Sequence, residues 1–290
     1  MFDNLISKRE VDIDSECYRS TVRELEEAFD YRSSSGNADI TGRADFIRLH
    51  RITKGFYAHY FGSIYSNYVP LYHSIWKMRL KDVTAGDNIH QDGGVYYFAV
   101  NGYRSRMITL WTNIYRDHIA GLSDSDMGLF VVDNQHPANR PLYDQLEAAD
   151  THFFVKRQNQ LADNTYIGGK PVHWDISKLA RTYFDYRPGT SITFNSHLMH
   201  GSKTFSGDVG RFSDVDLNKF RVSLTSVWLC KDDVAWSIVS GSERDYDNVY
   251  MSRVDRDLWV EMKQTFAAAC RKEAERLASI SALIKDHING

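Results

Sequence analysis

The chain has 290 residues, of which 42% are hydrophobic and 25% are charged, and its formal net charge is −3. These values are typical of a globular protein with a substantial core, held in one large domain or two ordinary ones. The charge argues against a dedicated nucleic-acid-binding protein, because no excess of basic residues is available to neutralise phosphates. No apolar run approaches the roughly 20 residues that span a bilayer, so we expect no membrane-spanning helix.

The N-terminal segment and the cysteines bear on the cellular compartment. The segment MFDNLISKREVDID lacks the basic and then apolar pattern of a signal peptide. The three cysteines, Cys17, Cys230 and Cys270, are too widely spaced for a CxxC site or a disulfide framework. We therefore expect a cytoplasmic protein with reduced thiols.

The N-terminal part of the chain is predicted to be helical. Apolar residues recur at helical spacing over Ser20–Phe29, with Ser20 as a candidate N-cap. The small polar residues of Ser33–Asn37 indicate a flexible connection. The region Ala44–Tyr68 is predicted to contribute further helix that covers one side of a sheet.

The middle of the chain is dominated by short runs of β-branched and aromatic residues, such as ITLWTNIY and GLFVVD. They predict strands near 75–82, 88–92, 95–100, 107–115, 128–132, 190–196 and 220–229. The stretch 133–186 is too long for a plain loop, and we expect short helices near Pro141–Ala149 and Ser177–Tyr183. The aromatic content of 13% suits a β-rich core and is also compatible with an aromatic-lined substrate pocket.

The C-terminal region is predicted to form a long helix over about 255–286, capped by Asp255. Its apolar stripe is formed by Trp259, Met262, Phe266, Cys270, Leu277, Ile280 and Ile284. This stripe is expected to pack against the sheet-rich core, although a homodimer formed through the helix stays open. We therefore predict one α+β domain over residues 1–290, mainly β in its core at about 75–230, with flanking helices.

Two His-x-Asp pairs are candidates for a metal site. A histidine and a carboxylate two residues apart on a strand point to the same side, as His90 and Asp92 would. A long β-rich segment then separates Asp92 from His200 (200 − 92 = 108 positions), which leaves room for strands that return to the first pair. The second pair, His173 and Asp175, is only 25 positions from His200 (200 − 175) and reads as a helix start. We therefore favour the first pair.

The third ligand is sought in the segment TFNSHLMHGS, which holds two histidines. His197 and His200 are separated by an odd offset, so on one strand they point to opposite sides. His200 precedes Gly201 at the end of the strand and is the predicted ligand, while His197 is expected on the outer face or behind the ligands. Two histidines and one carboxylate leave open positions on one side of a ferrous ion.

Arg221 begins an otherwise apolar strand, FRVSLTSVWL. A buried arginine is costly without an anionic partner, and its planar fork suits a carboxylate. Ser223 faces the same way and can add a hydrogen bond. The alternative is a rim arginine paired with an aspartate. Arg211 lies in a polar run and is expected on a surface loop.

Together these segments resemble the Fe(II)/2-oxoglutarate-dependent oxygenases, and within them the phytanoyl-CoA-dioxygenase-like group. The resemblance covers about residues 75–229 and rests on WKMRLKDVTAGDNIHQD, on HGS at 200–202 and on RVS at 221–223. Two departures are the Gln135-His136 pair where the family has Ser-His, and a long spacing of 21 positions (221 − 200) between the last two motifs. We interpret the spacing as an insertion over Ser206–Lys219.

The resemblance implies a double-stranded β-helix, or jelly-roll barrel, with Fe(II) held by His90, Asp92 and His200. It implies 2-oxoglutarate as cosubstrate, with Arg221 and Ser223 on its distal carboxylate; Arg79 or Lys77 is a candidate for the other end. Because halogenating relatives lack the carboxylate that Asp92 provides, hydroxylation or a related C–H oxidation by dioxygen is favoured. The expected substrate is a small molecule, such as an amino-acid derivative or a secondary metabolite.

Two other functions stay open. A cupin-type metalloenzyme that needs no 2-oxoglutarate would keep the three metal ligands without requiring Arg221. A non-enzymatic β-sandwich binding module would use its aromatic residues to stack on a ligand and would not bring the three ligands together.

Overall fold

The computed structural model describes residues 6–32, 38–39, 45–83, 89–92, 106–123, 126–148, 165–167, 170–172, 178–202 and 209–230. The helices are α1 (Glu16–Phe29), α2 (Asp45–Tyr60), α3 (Gly62–Asn67), α4 (Leu80–Val83), α5 (Arg140–Ala148) and α6 (Asp214–Asn218). The strands are β1 (Ile6–Glu10), β2 (Ala38–Asp39), β3 (Tyr68–Arg79), β4 (Met107–Arg116), β5 (Leu129–Val132), β6 (Thr165–Ile167), β7 (Lys170–Val172), β8 (Thr182–Phe184), β9 (Thr190–Asn195), β10 (Met199–Ser202) and β11 (Phe220–Cys230).

The strands form antiparallel sheets. The large sheet has six strands in the order β1-β9-β4-β11-β3-β2, and the small sheet has three in the order β10-β5-β8. A separate hairpin joins β6 to β7. The central pairing is that of β11, which runs between β3 and β4 along nearly its whole length. Strands distant in sequence therefore lie side by side in the middle of the large sheet.

Helices cover one face of the large sheet, and the small sheet packs against the other. Helices α1 and α2 cover one face, where Leu25 and Phe56 pack with Ile75 of β3. The opposite face shares a buried cluster with the small sheet, in which Phe194 of β9 packs with Met199 of β10. The two sheets thus enclose a second layer of core between them, and the candidate site residues lie there.

Several predicted elements are confirmed and others are corrected. The strand expected near 75–82 is β3, which begins earlier, at Tyr68, and ends at Arg79, where α4 follows. Strands β4, β5, β9 and β11 and helix α5 lie within one or two residues of their predicted positions. The helix expected near Ser177–Tyr183 is wrong at its end, because Thr182–Phe184 pair with β5 as a strand. Thr, Tyr and Phe suit a strand, and the pairing completes the small sheet.

The first helix begins earlier than predicted. It starts at Glu16, and its N-cap is Ser15, whose hydroxyl accepts a hydrogen bond from the Tyr18 N–H at 3.2 Å. Ser20 lies inside the helix, where its hydroxyl donates to the Cys17 carbonyl. The acidic Glu16 in the first turn also favours this start, because it complements the helix dipole.

Antiparallel sheets with flanking helices confirm the α+β class. The closed double-stranded β-helix and the single domain over 1–290 stay predictions. The strand at 95–100, the flexible segment Ser33–Asn37, the pair His173 and Asp175, and the helix at 255–286 lie outside the described residues. In the part of the chain that the structure describes, no helix is long and apolar enough to cross a membrane.

Candidate metal centre

His90, Asp92 and His200 converge, with one ligand atom from each lying within 4.8 Å of the others. The Asp92 carboxylate lies between the histidines, with Oδ1 at 3.5 Å from His90 Nε2 and Oδ2 at 3.5 Å from His200 Nε2. Two donors bound to one ion at about 2.1 Å and at right angles would lie about 3 Å apart. The observed separations are close to that value.

The backbone brings the two histidines together. His90 and His200 form an isolated antiparallel bridge, in which each N–H donates to the other's carbonyl, at 3.0 and 2.9 Å. The imidazole rings lie side by side, with centroids 4.4 Å apart. His90 therefore extends the small sheet next to β10, which carries His200.

The strand expected over 88–92 is reduced to this bridge. Gln91 is not in a strand, and the chain is helical at Asp92. The alternation of a strand therefore does not explain why Asp92 points to the histidines. Other contacts hold its carboxylate in place.

A hydrogen bond fixes the orientation of the His200 ring. Its Nδ1 lies 3.1 Å from the Leu198 carbonyl, which can only accept, so Nδ1 carries a proton. In the neutral ring, Nε2 then presents its lone pair to the Asp92 carboxylate. Two lone pairs that face each other need a proton or a cation between them, and this arrangement suits a metal ion.

Asp92 is held as a carboxylate. Burial by itself would raise the pKa of Asp92, but the charges that His200 and His90 carry when protonated, and their hydrogen bonds to the carboxylate, outweigh burial and hold that pKa well below its usual range. The Thr109 hydroxyl donates to Asp92 Oδ2 at 2.6 Å, and Ser196 Oγ lies 2.8 Å from Thr109 Oγ1. Thr109 belongs to β4, so the large sheet supports the carboxylate.

The turn between β9 and β10 also contacts the His90–Asp92 segment. The buried Gln91 side chain donates to the His197 carbonyl. The His197 N–H donates to Asn195 Oδ1 at 2.9 Å. His197 is therefore buried behind the ligands, as expected, and it supports the segment through its backbone.

Arg221 lies deeper between the sheets, and only 2% of it is exposed. Its Nη2 donates to Ser202 Oγ at 2.8 Å, and its guanidinium lies 4.3 Å from the centre of the Tyr186 ring. Among the described residues no carboxylate pairs with it, and its Nε has no hydrogen-bond partner. A buried positive charge without a counter-ion is costly, so this position suits an anionic ligand.

Three other buried polar groups near Arg221 are unsatisfied within the described residues. They are the Ser223 hydroxyl, the Tyr186 hydroxyl and both side-chain polar atoms of Asn113. Burial raises the pKa of Tyr186, while the neighbouring Arg221 guanidinium and Ser223 hydroxyl oppose that rise. Asn113 pairs directly with Ser223 across β4 and β11, which places both side chains on one face. Together these groups offer a polar pocket to a carboxylate.

Strand β10 links the group of His90, Asp92 and His200 to the polar residues around Arg221. His200 and Ser202 are two residues apart on β10 and face the same way, and Ser202 contacts Arg221. The exposed fraction of the side chains falls from 21% at His90 through 14% at Asp92 to 7% at His200. Exposure is therefore greatest at His90, and Arg221 is almost wholly buried.

The other arginine and lysine candidates lie elsewhere. On the paired strands β3 and β11, Arg79 lies opposite Phe220, and Met78 lies opposite Arg221. Paired residues share a face of the sheet and neighbouring residues alternate, so Arg79 faces away from Arg221. The Lys77 ammonium donates to the Arg32 carbonyl and lies over the Phe220 ring. The pairing of β3 with β11 therefore does not bring Arg79 or Lys77 to His90, Asp92 and His200. Arg211 is exposed and donates to the Gly121 carbonyl, as expected of a surface loop.

The supporting residues could not be identified from motifs. Ser202 was visible as the last residue of HGS, two positions after His200. Thr109 and Asn113 show only as polar residues in the apolar run MITLWTNIYR. Their role depends on contacts with residues far away in sequence, for which a single sequence carries no signal.

No family model and no curated protein matches the sequence. Among solved structures, EctD from S. alaskensis in its apo form is 13% identical, with 79% of this chain and 74% of that chain covered and a TM-score of 0.44. The non-heme α-ketoglutarate-dependent carbocyclase SnoK from nogalamycin biosynthesis is 12% identical, with coverages of 78% and 79% and a TM-score of 0.45. HygX from Streptomyces hygroscopicus, with nickel and 2-oxoglutarate bound, is 13% identical, with coverages of 78% and 82% and a TM-score of 0.43. Similarity this distant assigns no reaction to the chain, and the residues described above must carry the function.

Proposed function

We propose that this protein is an Fe(II)/2-oxoglutarate-dependent dioxygenase that oxidises a C–H bond of a small-molecule substrate. The observation that supports this most is the pairing of two features between the two sheets. Two histidines and one carboxylate converge there, and Arg221, which is buried and has no counter-ion among the described residues, contacts Ser202 two positions after His200.

The donor set fits a ferrous ion. Imidazole nitrogen and carboxylate oxygen are its usual ligands in non-haem oxygenases, in the ratio seen here. His90, Asp92 and His200 would hold the ion. When bound, a ferrous ion with 2-oxoglutarate beside it reduces dioxygen and oxidises a substrate C–H bond, as 2-oxoglutarate is converted to succinate and carbon dioxide.

The polar pocket fits the distal carboxylate of 2-oxoglutarate. Arg221 would bind this carboxylate through Nε and an Nη, and Ser223 would add a hydrogen bond. The Tyr186 ring lies against the Arg221 guanidinium. These contacts would orient the dicarboxylate, with its keto-acid end toward the ligands.

The apolar residues around the site would exclude water. Phe194 packs on the His200 ring at 4.6 Å between centroids, and Trp111 lies on the same inner face. A dry cavity strengthens the electrostatic contacts made by Arg221 and protects a reactive centre from side reactions. The substrate would enter on the side of His90.

The finer assignments belong to this proposal. We propose that the chain is most similar to the phytanoyl-CoA-dioxygenase-like group, on the basis of its motifs, and that the carboxylate of Asp92 favours hydroxylation or a related oxidation over halogenation. The substrate would be an amino-acid derivative or a secondary metabolite, and the protein would work in the cytoplasm.

The test is formation of succinate from 2-oxoglutarate in the presence of Fe(II) and dioxygen. We expect the wild-type protein to produce succinate well above the His200→Ala variant. Tight metal binding without any succinate would instead favour a metalloenzyme that does not use 2-oxoglutarate. Failure to bind a divalent metal at all would favour a binding module.

A further inference from the structure

We infer that Thr109, supported by Ser196, is a positioning residue that keeps Asp92 bound to the metal through one oxygen only. The inference rests on the metal site of the proposed function and does not depend on the substrate. It concerns how many positions on the metal remain open.

The direction of the hydrogen bonds follows from the groups involved. The Thr109 hydroxyl has a single proton and donates it to Asp92 Oδ2, at 2.6 Å. The Ser196 hydroxyl, 2.8 Å away, must then donate to Thr109. Both residues are buried, so water does not compete for these bonds. The two hydrogen bonds thus run in one direction, from Ser196 in the β9–β10 turn through Thr109 to Asp92 Oδ2.

The two oxygens of Asp92 are therefore not equivalent. Oδ2 lies 3.5 Å from His200 Nε2 and also accepts the short Thr109 hydrogen bond, which occupies one of its lone pairs. Oδ1 lies 3.5 Å from His90 Nε2 and receives no hydroxyl donor among the described residues, so no hydroxyl competes with a metal for it. Oδ1 is therefore the better metal donor of the two.

This difference matters for the number of open positions. Two histidines and a one-oxygen carboxylate occupy one face of an octahedral ion and leave the other face open. A carboxylate bound through both oxygens would take one of those positions. A chelating cosubstrate and dioxygen together need the whole open face, so Thr109 would protect the capacity to bind both.

The same strand provides a matched control. Thr112 is also buried in β4, and its hydroxyl lies 2.8 Å from Ser191 Oγ, a second Thr–Ser pair. It has an odd offset from Thr109 and so faces the other side of the sheet. Replacing Thr112 with Val removes the same kind of hydrogen bond at a distance from Asp92.

The experiment titrates Co(II), as a probe for the ferrous ion, into wild-type protein and four variants. Thr109→Val keeps the shape and removes the hydroxyl, and we expect about 10- to 100-fold weaker Co(II) binding, as for other groups that orient metal ligands. The intensity of the visible Co(II) bands should also change, because it reports the number of ligands. Thr109→Ser should restore both, Ser196→Ala should give an intermediate loss, and Thr112→Val should match wild type.

Equal Co(II) affinity and equal spectra in Thr109→Val and Thr112→Val would overturn the inference. If Thr109→Val does not fold by circular dichroism, Ser196→Ala carries the test, and a spectrum identical to wild type would count against the proposal. Absence of Co(II) binding in the wild-type protein would instead refute the metal site, and with it the proposed function. The two failures are therefore distinguishable.

Discussion

The main chains of His90 and His200 exchange two hydrogen bonds, with N–O distances of 3.0 and 2.9 Å. Residues 110 positions apart (200 − 90) are thereby neighbours through their backbones. The backbone alone thus brings two of the three proposed metal ligands together. A metal bound there would need little rearrangement, because the ligands are already ordered by folding.

Replacing His200 with Ala should separate folding from metal binding. The backbone bridge survives the change, so the variant should unfold cooperatively and retain its circular dichroism spectrum. It should bind Co(II) or anaerobic Fe(II) more than about 100-fold more weakly, because the loss of a ligand exceeds that of a supporting group. His59→Ala, an exposed histidine of α2, is the control and should bind as wild type does. Unchanged metal affinity in His200→Ala would remove His200 from the site.

Replacing Asp92 with Gly should change the anions that the metal accepts. Without its carboxylate the site keeps two histidines and gains an open position, to which chloride can bind. We expect loss of hydroxylated product and a chloride-dependent shift in the visible spectrum of the Co(II) protein, which wild type should not show. Full oxidation activity in Asp92→Gly would mean that Asp92 is not a required ligand.

Replacing Arg221 with Ala should weaken 2-oxoglutarate binding and leave metal binding nearly unchanged. Loss of a buried charge partner of this type costs about 2–5 kcal/mol, which corresponds to roughly 30- to 4000-fold in the dissociation constant. Arg221→Lys should recover only part of this, since an ammonium cannot reproduce the guanidinium fork. Calorimetric titration of 2-oxoglutarate into each metal-loaded protein measures the effect.

Arg211→Ala is the control for that series, because Arg211 is exposed and contacts the Gly121 carbonyl. It should bind 2-oxoglutarate as wild type does. The reverse pattern, with weak binding in Arg211→Ala and normal binding in Arg221→Ala, would move the anchor to Arg211.

His73 should make the fold sensitive to acid. Its ring is buried between α2 and β3, with Nε2 at 3.0 Å from His50 Nδ1. Burial, and to a smaller extent His50, holds the pKa of His73 well below its usual value. Below about pH 6.5 the unfolded chain protonates this histidine and the folded chain does not, so the free energy of unfolding falls as the pH falls, by up to about 1.4 kcal/mol per pH unit.

His73→Phe should flatten this dependence between about pH 5 and 6.5, since phenylalanine can stack on Tyr57 as His73 does. Urea unfolding at several pH values measures the slope. His59→Phe, at an exposed position, should leave the slope as in wild type. Identical slopes in wild type and His73→Phe would show that His73 is not the group responsible.

The sequence predicted which three residues converge, His90, Asp92 and His200, better than it predicted their surroundings. Strands β4 and β11 were visible as local runs of β-branched and aromatic residues, and the ligands as short motifs. The strand at His90 was predicted from the same kind of pattern, yet only a bridge forms there, and Asp92 is directed by Thr109 rather than by strand alternation.

The rest depends on contacts between distant segments. The residues of Thr182–Phe184 suit a strand, but three residues form one only because β5 lies beside them as a pairing partner. The register of β3 against β11, which turns Arg79 away from Arg221, is fixed by pairing along the whole strand. Neither the pairing partner nor the register can be deduced from a single sequence.

The central claim is that one cavity binds Fe(II) and 2-oxoglutarate together, and anaerobic titration tests it most directly. Addition of 2-oxoglutarate to the Fe(II) protein should produce a visible metal-to-ligand charge-transfer band that requires both components. The band should be absent in His200→Ala and should need a much higher 2-oxoglutarate concentration in Arg221→Ala. A wild-type protein that binds Fe(II) and shows no such band at any 2-oxoglutarate concentration would contradict the account.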